Sequence, residues 1–145
     1  MDIIEWDESY SVGVEELDEQ HKQLFNLLNA LFEAEETSAE SQTVSDLLAG
    51  MKAYAAMHFE TEERYMSECE YADLASHAWV HELYRKKADK LCSDQMDGRE
   101  GVFPEMLRFL YEWLVVHILS CDKDYAPFIR GHQADKSRRQ HTTAS

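Results

Sequence analysis

The chain has 145 residues, 44% of them hydrophobic, which suits one globular domain and excludes a disordered chain. Its 29 acidic and 14 basic residues give a net charge of −15, and a surface of that sign repels phosphate backbones, so no nucleic-acid partner is expected. Three cysteines without a C-x-x-C pair, an acidic start without a leader pattern and no apolar run of ~18 residues favour a soluble cytoplasmic protein without a membrane segment.

The first two elements are an N-terminal arm and an amphipathic helix. Residues 1–14 show no helical period, and their aromatic side chains are expected to pack across the domain. The first helix should begin between Val14 and Asp18, with Asp18 as its N-cap. Its inward stripe recurs at steps of four and three: Leu17, His21, Leu24, Leu28 and Leu31. It fades in the polar stretch 35–41.

The second and third helices are also predicted from an inward stripe of apolar residues. The second is expected from about Ser41 to Tyr65 or slightly beyond, and the chain breaks near residues 69–73. Asp73 is placed to cap the third helix, which should run from about Leu74 to Cys92. Residues 93–101 form a polar loop with two glycines. Such lengths and short connections favour antiparallel neighbours.

The fourth helix should open at Phe103-Pro104, where proline is tolerated in the first turn, and continue to His117. Residues 122–130 are expected to form a short helical turn ended by Gly131. The polar residues 132–145 are expected to be a disordered tail. The sequence therefore predicts an all-α, up-down-up-down antiparallel four-helix bundle over residues 1–131, with an N-terminal arm and a short C-terminal helical turn.

Seven residues with metal-binding side chains fall on these helices. They form H-x-x-x-E, H-x-x-x-H and H-x-x-x-x-D patterns preceded by one lone histidine: His21, His58, Glu62, His77, His81, His117 and Asp122. In an antiparallel bundle these positions share one end and one level. One histidine on an inward stripe is usually a satisfied core residue, but five imidazoles and two carboxylates buried in one layer are costly without a metal. The pattern therefore predicts a two-metal site.

Asp122 is the residue of the seven whose helical phase does not match. It follows His117 by five residues, which is about 140° round an ideal α-helix. Two explanations stay open at this point. Either the fourth helix ends or distorts here, or the aspartate side chain reaches round the helix.

The four patterns together, in this order and spacing, closely resemble those of the hemerythrins. The stretches Gly13-Val14 through Asp18, Gln20-His21 and Leu24-Phe25 resemble the bacterial branch of that family. The resemblance covers roughly residues 4–130 and fills all seven ligand positions. It implies two non-haem iron ions per chain. His77, His81 and His117 would bind one iron, His21 and His58 the other, and Glu62, Asp122 and an oxo or hydroxo group would bridge both.

Counting donors under that assignment separates the two irons. The first has six ligands and the second has five, which leaves one position for a small ligand. The resemblance implies that this ligand is dioxygen, with small anions such as azide as analogues. Ferritin-like sites use E-x-x-H pairs and more carboxylates, whereas five neutral imidazoles favour the ferrous state. The donor set therefore favours binding over oxidation.

Apolar side chains that match the family's ligand pocket lie within one turn of His21, His58 or His117: Leu24, Phe59, Trp113, Leu114 and Ile118. They are also ordinary bundle core, and the two roles do not compete. Such a lining would slow autoxidation. Tyr125 matches a family aromatic near the site and is given little functional weight. Cys121 is interpreted as a small buried hydrophobe, with thiolate ligation of the metal as the alternative.

The leading interpretation is reversible dioxygen binding, for carriage, storage or delivery. An alternative is an oxygen or redox sensor domain that is fused to, or contacts, a signalling protein. A third class is enzymatic: a di-iron peroxidase or oxidase, or nitric-oxide chemistry. The absence of a proton donor from the predicted pocket weighs against an enzyme.

Overall fold

The computed structural model describes residues 5–36 and 41–143, and its regular structure is helical. A 3₁₀ turn at Glu8–Tyr10 comes first. The helices are α1 (Glu15–Glu36), α2 (Ser41–Glu68), α3 (Leu74–Met96), α4 (Val102–Glu112) and, after a π-helical stretch at Trp113–Cys121, α5 (Asp122–Thr143). The predicted all-α four-helix bundle is confirmed, and a longer C-terminal helix is added to it.

The turn between α2 and α3 fixes how the bundle reverses. The N–H of Tyr71 donates to the carbonyl of Met66 at 2.9 Å, and Glu70 adopts a left-handed φ of 55°. This is the cap geometry that ends many helices with a change of direction. Helix α2 then packs along both α1 and α3, while α4 contacts α1 and α3 to close the ring. The reversal brings the last turns of α2 beside the first turns of α3.

The core is divided into two apolar clusters. The larger one fills the bundle from Leu24 and Phe59 outward, and the smaller one packs the arm and α5 around Leu17, Met66 and Tyr125. Along the inward stripe of α1, His21 lies between Leu17 of the smaller cluster and Leu24 of the larger one. The other helices likewise place their polar residues between the two apolar clusters. A polar layer therefore lies inside the bundle with apolar packing on both sides.

The described part of the N-terminal arm, from Glu5 onward, packs on α1. The Trp6 ring meets Phe25 edge to face at 5.5 Å, and Tyr10 stacks on Phe25 at 5.5 Å. The Asp18 carboxylate accepts hydrogen bonds from the N–H of Val12 at 2.9 Å and from the Ser11 hydroxyl at 2.5 Å. The arm is thus anchored by aromatic packing and by one carboxylate.

The predicted starts of α1 and α3 are confirmed, but the two predicted capping interactions and the predicted C-terminal end are wrong. Helix α1 begins at Glu15, so Asp18 lies inside its first turn and binds the arm instead of capping the helix. Asp73 does precede α3, but its side chain makes no capping hydrogen bond. Gly131 does not end the C-terminal helix, because it lacks the positive φ that Gly13, Gly98 and Gly101 adopt, and α5 continues to Thr143. The domain boundary at residue 131 stays a prediction.

None of the helices in the part of the chain that the structure describes is both long enough and apolar enough to cross a bilayer.

Candidate metal centre

The polar layer consists of the seven residues that the spacing patterns predicted. The structure brings all of them together, and each is at most 7% exposed: His21, His58, Glu62, His77, His81, His117 and Asp122. Helix α1 contributes one histidine, α2 a histidine and a glutamate one turn apart, and α3 two histidines one turn apart. The remaining histidine lies in the π-helical stretch, and the aspartate opens α5. Five helical segments therefore converge on one point.

The π-helical stretch explains how Asp122 reaches the layer. The N–H of Asp122 donates to the carbonyl of His117, five residues earlier, instead of to the residue four earlier. This i→i+5 bonding places more residues in each turn than an α-helix does, so residues five apart come closer to one face. Of the two explanations left open by the sequence, helix distortion is the one observed. Both side chains then point into the same layer, with Oδ1 of Asp122 3.0 Å from Nε2 of His117.

Glu62 divides its two oxygens between two groups of histidines. Its Oε1 lies 2.5 Å from Nε2 of His77 and 3.1 Å from Nε2 of His81. Its Oε2 lies 2.8 Å from Nε2 of His58 and 3.7 Å from Nε2 of His21. One carboxylate is therefore shared by a group on α3 and a group on α1 and α2.

Asp122 divides its oxygens in the same way. Oδ1 is 3.0 Å from Nε2 of both His77 and His117, and Oδ2 is 3.1 Å from Nε2 of His21. Two sets of four donors result, and within each set the ligand atoms lie within 4.8 Å of one another. One set is Glu62, His77, His81 and His117, and the other is His21, His58, Glu62 and Asp122. Such pairs of sets, joined by carboxylates, are the arrangement that two neighbouring cations require.

The directions of the donor atoms fit cations better than hydrogen bonds. Several ligand atoms are buried without a hydrogen-bond partner: Nε2 of His21, His58 and His117 and both carboxylate oxygens of Asp122. Each of the three nitrogens nevertheless lies about 3 Å from an oxygen of Asp122 or Glu62. Orphaned buried polar atoms are rare because each loses its water without compensation. A cation bound between such atoms would accept their lone pairs and compensate for the lost water. The donor set, imidazole nitrogen plus carboxylate oxygen, suits iron and other first-row transition ions.

The charges of the two carboxylates dominate the protonation of the metal-free layer. Burial alone would lower the pKa of His21 and of His77, but contacts with Asp122 and Glu62 outweigh it and raise these values to about 9 and about 10. For His58 burial prevails, and its pKa is lowered. Burial opposes ionisation of Glu62, yet the surrounding imidazoles hold its pKa well below the usual range. Without a metal, the layer compensates its carboxylates with protons.

Comparison with known proteins agrees with this donor set. The family model described as the hemerythrin HHE cation binding domain matches residues 12–129. The chain belongs to the hemerythrin family. It is 27% identical over 124 residues to the bacteriohemerythrin of Clostridium acetobutylicum, covering 83% of this chain and 96% of that one. It is 36% identical over 120 residues to the hemerythrin-like protein of Naegleria gruberi, covering 83% and 88%.

Solved structures of hemerythrin share the fold as well. The crystal structure of a wild-type hemerythrin superimposes with a TM-score of 0.79 and 29% identity, covering 88% of this chain and 98% of that one. A mutant hemerythrin gives 0.80 and 28% over similar spans. Since 98% of each of these two hemerythrin chains is covered, the bundle of this chain has the hemerythrin fold.

The five residues predicted to line a ligand pocket are all buried in the larger apolar cluster of this hemerythrin: Leu24, Phe59, Trp113, Leu114 and Ile118. Two of them cover imidazoles directly. The Phe59 ring stacks on His81 at 3.9 Å between centroids, and the Trp113 ring stacks on His117 at 4.1 Å. These residues form an apolar wall against the metal-binding layer. Their role as a ligand pocket stays a prediction.

Tyr125 makes a contact that the sequence did not predict. Its hydroxyl donates to Oε2 of Glu62 at 3.1 Å, and burial together with the nearby Glu62 charge raises its pKa well above the usual value. The spacing to Asp122 was the signal available, but only the fold shows that the partner is the shared glutamate. The side chain of Cys121 lies outside the described residues, so its ligation alternative is not addressed.

Three further residues touch imidazoles and were missed. Gln20 contacts Nδ1 of His58 at 2.8 Å, and Glu63 contacts Nδ1 of His81 at 3.0 Å. The Tyr54 ring stacks on His58 at 5.1 Å between centroids. Each is next to a predicted ligand, or one turn before it, and Gln20 also belongs to a stretch that resembles the family, but neither signal gives the contact. Helical phase places Glu63 off the inward stripe. The contact with His81 was therefore missed, because helical phase predicts which side chains are buried and not which side chains touch a neighbouring helix.

Proposed function

We propose that this hemerythrin binds dioxygen reversibly at a non-haem di-iron centre, for carriage, storage or delivery. The observation that carries the proposal is the unequal division of donors around two shared carboxylates. Three histidines lie on one side and two on the other: His77, His81 and His117 against His21 and His58.

This inequality has a direct chemical meaning. With one oxygen from each of Glu62 and Asp122, the three-histidine side offers five protein donors and the two-histidine side offers four. Iron commonly takes six ligands, so the two-histidine side keeps more room for a ligand from outside. Two ferrous ions held there would supply the two electrons that dioxygen takes up on binding and returns on release.

The protein's own contribution is to fix the donors and to keep the layer dry. Apolar clusters close it from both directions along the bundle, with Leu17 and Met66 on one side and Leu24 and Phe59 on the other. A site of this kind limits the entry of water and the loss of a reduced ligand. The Tyr125 hydroxyl is held by Glu62 and its raised pKa keeps it protonated, so it orients a ligand carboxylate.

The test is reversible oxygenation of the iron-loaded 145-residue chain. Reduced protein, prepared without air, should carry two irons per chain, gain a visible absorption band when oxygen is added and lose it when oxygen is removed, over repeated cycles. Zinc-loaded protein is the matched control and should show no band. Two outcomes would contradict this proposal and favour an enzymatic function. One is a single irreversible oxidation, and the other is steady turnover of hydrogen peroxide at a rate above that of free iron.

A further inference from the structure

The imidazole of His58 is hydrogen-bonded to a neutral side chain through Nδ1, the nitrogen that faces away from Glu62. Its Nδ1 lies 2.8 Å from Oε1 of Gln20, and both residues are buried. The Gln20 carbonyl oxygen can only accept a hydrogen bond, so Nδ1 must be the protonated nitrogen. Nε2 is then the atom with a free lone pair, and it is the one that lies 2.8 Å from Glu62.

Thr61 fixes which way round the Gln20 amide lies. The Thr61 hydroxyl donates to the carbonyl of Met57 at 3.0 Å, so its oxygen remains as an acceptor. The Gln20 amide nitrogen lies 3.2 Å from that oxygen and donates to it. With its nitrogen engaged, Gln20 presents its oxygen to His58. The order Thr61, Gln20, His58 therefore determines the tautomer of one ligand.

The imidazole of His81 is held from behind by a charged side chain. Its Nδ1 lies 3.0 Å from a carboxylate oxygen of Glu63, and the same oxygen lies 3.7 Å from the guanidinium of Arg85. Arg85 also pairs with Glu82, and its guanidinium lies 5.2 Å from the centre of the Phe59 ring. The carboxylate is thus directed at His81 from the outer face of the bundle, where it is 29% exposed.

We propose that Gln20 and Glu63 are positioning residues that make the two metal positions of this chain electronically unequal. A carboxylate behind an imidazole strengthens the hydrogen bond and raises the basicity of the opposite nitrogen more than a neutral amide does. The three-histidine position, which includes His81, therefore stabilises the higher oxidation state more than the position that includes His58. This inference rests on the di-iron centre proposed above, and it adds which of the two iron positions stabilises the higher oxidation state more.

The experiment measures the reduction potential of the iron-loaded full chain by spectroelectrochemical titration without oxygen. Gln20→Glu places a carboxylate behind His58 and should lower the potential, while Glu63→Gln removes one from behind His81 and should raise it. Gln23→Glu and Glu60→Gln are the matched controls, because both make the same change of charge at exposed positions one turn from Gln20 and Glu63. The controls should shift the potential much less.

A second readout needs neither iron nor oxygen. In zinc-loaded protein the metal on Nε2 leaves the His58 proton on Nδ1, and proton–nitrogen-15 NMR should show that proton shifted downfield by its hydrogen bond to Gln20. The signal should move further downfield in Gln20→Glu and upfield in Gln20→Met, which keeps the size but removes the acceptor. Equal potential shifts in Gln20→Glu and Gln23→Glu, or a His58 Nδ1 proton signal that is unchanged in Gln20→Met, overturn the inference and leave oxygen binding standing. A chain that binds no iron overturns both.

Discussion

The backbone N–H of Asp122 donates to the carbonyl of His117, and this single i→i+5 bond turns the aspartate into the metal-binding layer. Because Oδ1 and Oδ2 then face different groups of histidines, the carboxylate joins the two halves of the site. Asp122→Asn keeps the shape but removes the charge and one oxygen donor.

For Asp122→Asn we expect iron content to fall well below that of the wild type, measured by elemental analysis after gel filtration. Asp124→Asn is the control, since Asp124 is exposed on the same turn of α5 and should leave the iron content unchanged. Wild-type iron content in Asp122→Asn would show that Glu62 alone bridges the two groups.

Leu114 tests the apolar wall. It is 2% exposed and lies one turn before His117. Leu114→Ala leaves a cavity, so we expect a loss of stability of about 2–5 kcal/mol and a faster autoxidation of the oxygenated protein. Val116→Ala is the control, because Val116 is 61% exposed and should change neither quantity. A variant that loses stability but autoxidises at the wild-type rate would remove Leu114 from the pocket.

The pH dependence of the metal-free protein follows from His21 and His77. Their pKa values rise from 6.5 to about 9 and about 10 on folding, so the stability they contribute is fully present below pH 6.5 and is lost as the pH rises through 9 to 10. We therefore expect the Tm of metal-free protein to fall between neutral pH and about pH 10.

The iron-loaded protein should lack this fall, because iron replaces the protons on the ligand nitrogens. Calorimetry of both forms across the same pH series makes the comparison. Parallel curves for the two forms would mean that the protons of His21 and His77 do not stabilise the metal-free fold.

Gly13 tests the attachment of the arm to α5. Its φ is +77°, and a Cβ there would lie 2.5 Å from Cδ of Arg130. Gly13→Ala should therefore destabilise the protein by about 1–3 kcal/mol in chemical denaturation. Gly98→Ala separates the two causes, because Gly98 has a similar φ of +72° with nothing within 4 Å of the added atom. If both substitutions cost the same, the contact with Arg130 contributes nothing.

Most of the bundle could be predicted from the sequence, and so could the seven residues of the buried layer, six of them from helical phase. Residues such as His21 and Glu62 recur with the apolar stripe, and helical periodicity alone places them inside. Helix direction then places them at one level, since neighbouring helices run in opposite directions. Helical periodicity and helix direction depend on residues that are close together in the chain, so both can be predicted from a single sequence.

The remaining details depend on distances between helices. Asp122 needed the π-helical stretch, a distortion that its five-residue spacing allowed but did not require. The contacts of Gln20 with His58 and of Glu63 with His81 depend on how far one helix lies from the next. The continuation of α5 beyond Gly131 depends on the glycine keeping an ordinary helical φ, which its identity does not determine.

Because the polar layer lies between two apolar clusters, the folding stability of the chain, and with it the resistance to proteolysis, should depend on whether the layer holds its metal. Iron that binds the folded layer and not the open chain adds to folding stability by mass action. A chain without iron opens more often, and proteases cut open chains. The amount of this protein should therefore rise and fall with available iron, so that copies without the ion are cleared while loaded copies accumulate.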